Sequence, residues 1–180
     1  MKAETGSTVL TPEMIENPSL IPVESPVIRD ALTYWRDRRP GPGLLPGRQH
    51  IDPTEIPRLL QSIWLLDVVR DDPDNPKMRF RCRIFGGHFL DSWGPRMQGK
   101  LLDTVSNFTD SDGEADLIAV CETGIPRHYN GAPSVDPFTM VASVEALMLP
   151  LARDGRTIDM MMNFSQCRHS DSAEPSLFNH

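Results

Sequence analysis

Residues 78–84 read MRFRCRI, so that Met78, Phe80, Cys82 and Ile84 alternate with three arginines. Side chains of a β-strand point alternately to the two faces of the sheet, and this pattern therefore predicts a half-buried strand. Phe80 and Ile84 are expected to point into the interior. The arginines then lie on the opposite face, where charge discourages edge-to-edge pairing. This strand decides which side of the sheet packs on a core.

The segment before this strand predicts its partner. Residues Ile63–Val69 are apolar on both faces except for Asp67, which is typical of a central strand. Residues 71–76 read DDPDNP, a turn-forming loop. The two strands are therefore predicted to form a hairpin. The glycine pair Gly86-Gly87 is then expected at the end of the second strand, where the backbone needs dihedral angles that glycine adopts more readily than other residues.

A helical period appears ahead of the hairpin, over residues 26–38. Pro26 suits the first helical turn, and Ile28, Leu32 and Trp35 recur at helical spacing. The central strand needs a cover on its second face, because a contiguous apolar patch on a protein surface usually marks a contact. We expect this helix to supply the cover, on its own chain or on a second one. The three apolar residues are thus candidates for a homodimer interface.

Two more helical signals flank the hairpin. Asp52 and Pro53 suit the start of a short helix. Ser111 and Glu114 form a capping-box pattern for a longer helix, which Gly124 is expected to end. The residues between the hairpin and this longer helix favour short helical turns and loops.

The C-terminal half returns to strand patterns, and Asp154-Gly155 between the last two is typical of a hairpin turn. The predicted strands cover residues 125–130, 140–151 and 157–164. The simplest packing of all these elements is an α+β fold, with a five-stranded antiparallel sheet, helices mainly on one face and an additional N-terminal helix. Residues 26–165 are assigned to this domain. The polar segments 1–25 and 166–180 are predicted to be flexible tails.

Three blocks of sequence carry a resemblance to a known family. They are LLPGRQHIDPTEIPRLLQSIWLLDV at 44–68, RFRCRIFGGHFLDSWGPRMQGKLLDTV at 79–105 and EALMLPLARDG at 145–155. In this order and spacing, the chain resembles small bacterial single-domain PAS-like proteins. The resemblance implies a PAS fold and a signalling role, and it implies no particular ligand.

Composition narrows the choice of partners. The formal charge is −7, which disfavours direct contact with nucleic acid. No apolar run approaches the roughly 18–20 residues of a membrane span, and the N-terminus lacks the apolar stretch of a secretory signal. We therefore expect a cytoplasmic protein without a membrane partner.

The metal- and cofactor-binding patterns are weak. The three cysteines are widely spaced, and Cys82 and Cys121, which fall on apolar faces of predicted elements, are interpreted as small buried side chains. His88 and His128 could ligate a haem or a metal, but no pair of histidines has metal-ligand spacing. We expect no metal, no cofactor and no visible absorbance.

In a PAS-like fold a ligand would lie between the sheet and the helices. The candidate residues for that cleft are Phe80, Ile84, Phe89, Trp93, Ile118, Met160 and Met162. The methionines could equally fill the core. The stripe of Arg79, Arg81 and Arg83 could bind an acidic partner or an anionic ligand, or could simply be a solvated face.

The chain is interpreted as a sensory or regulatory module in bacterial signalling. It would act through contacts with a signalling protein that the sequence does not identify, and through a small apolar ligand if the cleft is open. A ligand-free structural interaction domain is the alternative. A small α+β enzyme is favoured less, because the sequence has no nucleophile elbow, P-loop or dinucleotide-binding motif and no catalytic residue is assigned.

Overall fold

The computed structural model describes residues 6–70, 77–87, 97–104, 108, 111–133 and 141–169. Six strands in these residues form one antiparallel sheet with the order β1-β4-β5-β6-β2-β3. The strands are β1 (Gly6–Val9), β2 (Ile63–Val69), β3 (Arg79–Phe85), β4 (Arg127–Gly131), β5 (Val141–Leu151) and β6 (Met160–His169). The predicted α+β architecture with an antiparallel sheet is confirmed, with six strands instead of the predicted five, because β1 is a strand that the sequence analysis did not predict.

Three α-helices lie within the described residues. They are α1 (Pro12–Glu16), α2 (Pro26–Asp37) and α3 (Asp112–Thr123). The hydroxyl of Ser25 accepts the Val27 N–H at the start of α2, and the hydroxyl of Ser111 accepts the Glu114 N–H at the start of α3. The short helix expected at Asp52 is a single 3₁₀ turn, Pro53–Glu55.

Strand β3 contains a bulge that changes which side chains are buried. Leu66 pairs with Cys82 and Leu65 pairs with Ile84, so Arg83 is an extra residue between them. Phe80 is 1% exposed, as predicted, but Ile84 is 43% exposed and Phe85 is buried in its place. The prediction that Ile84 points into the interior is therefore wrong, because one inserted residue reverses the alternation beyond it.

Both faces of the sheet carry a hydrophobic core. The outer core lies under α2 and includes Leu65, Leu147, Leu149, Met162 and Phe164 from the sheet. The inner core lies under α3 and includes Leu66, Phe80, Cys82, Met148 and Met161. Adjacent residues of β2, β5 and β6 thus pack in different cores, because strand side chains alternate between the two faces of the sheet.

Helix α2 covers the outer face of its own chain. Ile28, Ala31, Leu32 and Trp35 are almost fully buried there, and the indole N–H of Trp35 donates to the Pro150 carbonyl at 2.8 Å. The expected cover is confirmed within one chain. The same burial keeps the three candidate interface residues away from a second chain, and a homodimer stays a prediction.

Residues 6–25, which were predicted to belong to a flexible N-terminal tail, contain a strand and a helix. Strand β1 pairs with β4, and Leu10 behind it is buried in the outer core. Only four residues form the strand, too few for a clear alternating pattern. At the other end, β6 continues to His169 through pairing with β5, beyond the domain end expected at residue 165. Residues 170–180 lie outside the described part.

Gly86 is required for a different reason from the one predicted. Its φ angle is not in the left-handed region. The backbone of residues 60–61 passes close by, and a Cβ at position 86 would lie 2.3 Å from the Leu60 carbonyl oxygen. The residue therefore permits a close approach of two backbone segments.

The bulge in β3 predicts opposite outcomes for two alanine substitutions. Phe80→Ala should lower the free energy of unfolding by about 3–5 kcal/mol, as for a buried aromatic side chain. Ile84→Ala should change it by less than about 1 kcal/mol, because that side chain is largely exposed. Urea denaturation of the two variants measures both values. Equal losses would contradict the register described here.

Candidate functional site

The inner face of the sheet, between the strands and α3, is the candidate site. We call its surface, formed by Trp64, Phe80, Met148, Met161 and Asn163, the cleft face. Leu117 and Val120 of α3 are buried against the same core, and Ile118 is half-buried beside them. Among the predicted cleft residues, the structure thus brings Phe80 and Ile118 together.

The two predicted cleft methionines lie on the other side of the sheet. Met160 and Met162 belong to the outer core, while Met161 belongs to the inner core. The reason is the pairing register, in which Met161 lies opposite Leu66 and Met162 opposite Leu65. Because the three consecutive methionines have the same chemistry, the sequence does not show which of them faces which side of the sheet. The assignment of Met160 and Met162 to the cleft is wrong.

Three residues considered in the sequence cannot be placed. Phe89, Trp93 and His88 lie outside the described residues. Ile84, the remaining cleft candidate, is exposed because of the bulge in β3.

A buried amide on the cleft face was missed by the sequence analysis. Asn163 of β6 is 0% exposed. It lies opposite Trp64 of β2 on one side and opposite Met148 of β5 on the other. Its Nδ2 donates to the Trp64 carbonyl at 3.5 Å, while its Oδ1 has no hydrogen-bond partner in the described structure. An unpaired buried acceptor costs about 1–3 kcal/mol and is therefore unusual in a folded protein.

A second polar side chain follows on the same face of β6. The indole N–H of Trp64 donates to the Ser165 hydroxyl at 3.0 Å. Asn163 and Ser165 alternate with Met162 and Phe164 in the sequence, and this short alternation is the signal that could have revealed a polar row on one face.

His128 forms a buried pair on the outer face. Its Nε2 lies 3.0 Å from Glu145 Oε1, and both side chains are buried. The Glu145 carboxylate also accepts the backbone N–H groups of Glu24 and Ser25, at 2.9 and 2.8 Å. Glu145 therefore connects strands β4 and β5 to the residues that start α2. Arg168 adds an ion pair to Glu24 beside it.

The environment of Glu145 has two opposing effects on its pKa. Burial raises the pKa, while the hydrogen bonds from His128 and from the Glu24 and Ser25 backbone lower it. The hydrogen bonds together prevail, and the pKa of Glu145 lies below its ordinary value of 4.5. The carboxylate is thus ionised at neutral pH, and in this form it accepts the backbone N–H groups of the residues that precede α2.

The arginine stripe of β3 is divided among several contacts. Arg79 pairs with Asp103, its Nε lying 2.5 Å from Oδ2, and Arg83 pairs with Asp67 at 3.0 Å. Arg81 makes no ion pair with any residue that the structure describes. The stripe is therefore not a uniformly solvated face.

The cysteine thiols are poor nucleophiles. Burial raises the pKa of Cys82 and of Cys121 to about 12, and it also raises the pKa of Cys167. All three are free, and Cys82 and Cys121 are buried, as their interpretation as small buried side chains predicts. Within the described ranges, no three His, Cys, Asp or Glu side chains are grouped as metal ligands would be. None of the helices described has the length and apolar character needed to cross a membrane.

An antiparallel sheet with α3 on its inner face and α2 on its outer face defines a class of small α+β domains. Comparison with protein families matches residues 23–163 to the PAS domain. The match covers most of the chain, and the chain belongs to the PAS domain family. Strand β1 and helix α1 lie outside the matched range. No curated protein and no solved structure matches the chain.

The Glu145 contacts predict a pH-dependent contribution to stability. Glu145→Gln should lower the free energy of unfolding by about 1.5–3 kcal/mol at pH 7, because the charge-assisted hydrogen bonds are weakened. A carboxyl with a lowered folded-state pKa stabilises the fold above its unfolded pKa, and this contribution is lost as the pH falls through the folded value. The difference between wild type and variant should therefore shrink below pH 4.5.

Urea denaturation between pH 7 and pH 3 measures this difference. Glu122→Gln is the matched control, because Glu122 is exposed on α3 and its loss should change stability by less than about 0.5 kcal/mol. A Glu145→Gln deficit that stays constant down to pH 3 would contradict the role assigned to the carboxylate.

Proposed function

We propose that this PAS domain is a sensory module of bacterial signalling that binds a small, mainly apolar ligand between the cleft face and α3. The ligand carries one hydrogen-bond donor, which donates to the Oδ1 of Asn163. Ligand occupancy changes the contacts that the module makes with a partner signalling protein. The family membership supports the sensory role, and the chemistry of the cleft face supports the class of ligand.

The observation that carries this proposal is the unpaired Oδ1 of Asn163. On the flanking strands, Trp64 of β2 and Met148 of β5 lie opposite it, and Met161 lies on the same face of β6; both methionines are apolar and buried. Apolar surroundings favour an apolar ligand body, and a lone buried acceptor favours one donor at a fixed place. A ligand that supplied this donor would recover the free energy lost by the unpaired acceptor.

The sheet offers a path from this ligand to the protein surface. A ligand that displaces Met161 acts on β6, whose neighbouring residues Met160 and Met162 pack in the outer core with α2. Closely packed side chains transmit small displacements, because the interior has little free volume. We call the residues from Leu10 to the end of α2, which pack on the outer core, the N-terminal layer. We therefore expect the partner protein to contact this layer.

The rival functions predict different properties of the cleft face. In a ligand-free interaction domain, the inner core would be filled by its own side chains and Asn163 would have no ligand to meet. In a small enzyme, a histidine such as His128 would be open to substrate, whereas His128 is buried against Glu145. The contact of His128 with Glu145 thus favours a structural role for this histidine.

The ligand proposal predicts the outcome of replacing the amide. Extraction of the purified full chain followed by mass spectrometry should release a small molecule in stoichiometric amount. Asn163→Leu should lose this molecule, because the acceptor is gone. The ligand-free variant should be at least as stable as ligand-free wild type, since a buried unpaired acceptor is replaced by an apolar side chain of similar size.

Gln166→Leu is the matched control, a polar-to-leucine change on the same strand but on the opposite side of the sheet. It should retain the extracted molecule. Absence of any co-purified molecule from wild type, or equal retention by Asn163→Leu, would contradict the proposal and favour the ligand-free interaction domain.

A further inference from the structure

A cavity of about 380 Å³ lies beside the ends of strands β2 and β3. Its walls carry five arginines, contributed by segments that are far apart in the sequence. They are Arg48, Arg70, Arg81, Arg83 and Arg153. We call this the arginine cavity.

The fold brings these side chains together from four segments. Arg48 starts the 3₁₀ turn Arg48–His50, and Arg70 directly follows β2. Arg81 and Arg83 lie on β3, and Arg153 lies in the turn between β5 and β6. The carboxylate of Asp154 fixes that turn by accepting the backbone N–H groups of Arg156 and Thr157, so the place of Arg153 is set by local hydrogen bonds.

The charges in the cavity do not balance. Two aspartates also line it, and they face five arginines. Asp67 pairs with Arg83 at 3.0 Å, whereas Asp159 lies 3.9 Å from Arg153, which is 88% exposed. Among the residues that the structure describes, three positive charges in the cavity therefore remain without a carboxylate, on a chain whose formal net charge is −7.

The remaining arginines are positioned but not neutralised. Arg48 donates to the Ile51 carbonyl at 2.8 Å, and Arg70 donates to the Ile158 carbonyl at 2.5 Å. A neutral carbonyl orients a guanidinium and leaves its charge in place. The guanidinium of Arg81 makes neither a hydrogen bond nor an ion pair with the described residues. A concave site with an excess of positive charge concentrates its field on an anion inside it.

We propose that the arginine cavity binds a small anion that carries two adjacent phosphate groups. The planar guanidinium donates paired hydrogen bonds to phosphate oxygens, and several guanidinium groups arriving from different directions suit tetrahedral groups better than one flat carboxylate. Three uncompensated positive charges match the charge of a diphosphate. The cavity is separate from the cleft face, and the proposal does not depend on a ligand there.

Two residues connect the arginine cavity to the hydrophobic cores. Met160 lines the cavity and also packs in the outer core, on which α2 packs, while Val68 lines the cavity and packs against the inner core. A bound diphosphate would therefore contact side chains that belong to the packing on both faces of the sheet.

Isothermal titration of the full chain with inorganic pyrophosphate tests the proposal. At low ionic strength we expect binding of one pyrophosphate per chain, with an affinity that falls as salt is added. Arg81→Gln and Arg153→Gln should each weaken binding about tenfold or more, because each removes charged hydrogen bonds to the anion. Both side chains are exposed, and circular dichroism should show unchanged folding.

Arg58→Gln is the matched control, an exposed arginine outside the cavity whose loss changes the net charge equally. It should leave the affinity within about twofold of wild type, as a change of surface charge alone would. Equal losses in Arg58→Gln and Arg81→Gln would show non-specific attraction and overturn the proposal. Absence of pyrophosphate binding by wild type would overturn it as well.

Other ligands separate the remaining possibilities. Citrate binding as tightly as pyrophosphate would overturn the assignment to phosphate. Binding that appears only after Asp71, Asp72 and Asp74 are all changed to Asn would show that the chain's own acidic segment occupies the site, and this too would overturn it. Binding of ADP supports a soluble diphosphate, while co-sedimentation with vesicles containing phosphatidylinositol bisphosphate supports a lipid headgroup as the source.

Discussion

Strand β6 has buried side chains on both of its faces, and the packing of the domain follows from this constraint. It pairs with β2 on one side and with β5 on the other, which places it in the interior of the sheet. Met162 and Phe164 pack in the outer core, whereas Met161 packs in the inner core. Since a strand cannot shift by one residue without exchanging its two faces, both cores fix the same register. The positions of α2 and α3 depend on that register, because each helix packs on one of the two surfaces that it creates.

The elements with a regular pattern could be predicted from the sequence. The alternation around Phe80, the spacing of Ile28, Leu32 and Trp35, and the serine before α3 each act over one strand or one helix. The order of these elements was enough for the α+β, PAS-like fold. Strand β1 could not be predicted in this way, because a strand of four residues is defined by its pairing with β4 and hardly by its own composition.

The residues of the candidate site were harder to predict, for two physical reasons. The bulge at Arg83 depends on how β3 meets β2, and the run of three methionines has the same chemistry on both faces. The contacts of Asn163 with Trp64 and of Glu145 with Glu24 join residues about one hundred or more positions apart. A local pattern carries no information on such pairs, although buried polar residues in an apolar strand are a general sign that a partner exists.

The Glu145 contacts couple the residues that start α2 to strands β4 and β5. The apolar contacts of α2 with the outer core have no preferred direction, so they hold the helix without fixing its first turn. The carboxylate of Glu145 fixes that turn through two backbone N–H groups and is itself held by His128 of β4. A small movement of β5 relative to β4 would change this set of hydrogen bonds at once, because they share one carboxylate. Such a movement would therefore reach the residues that start α2, which is the kind of coupling that the proposed sensory role requires.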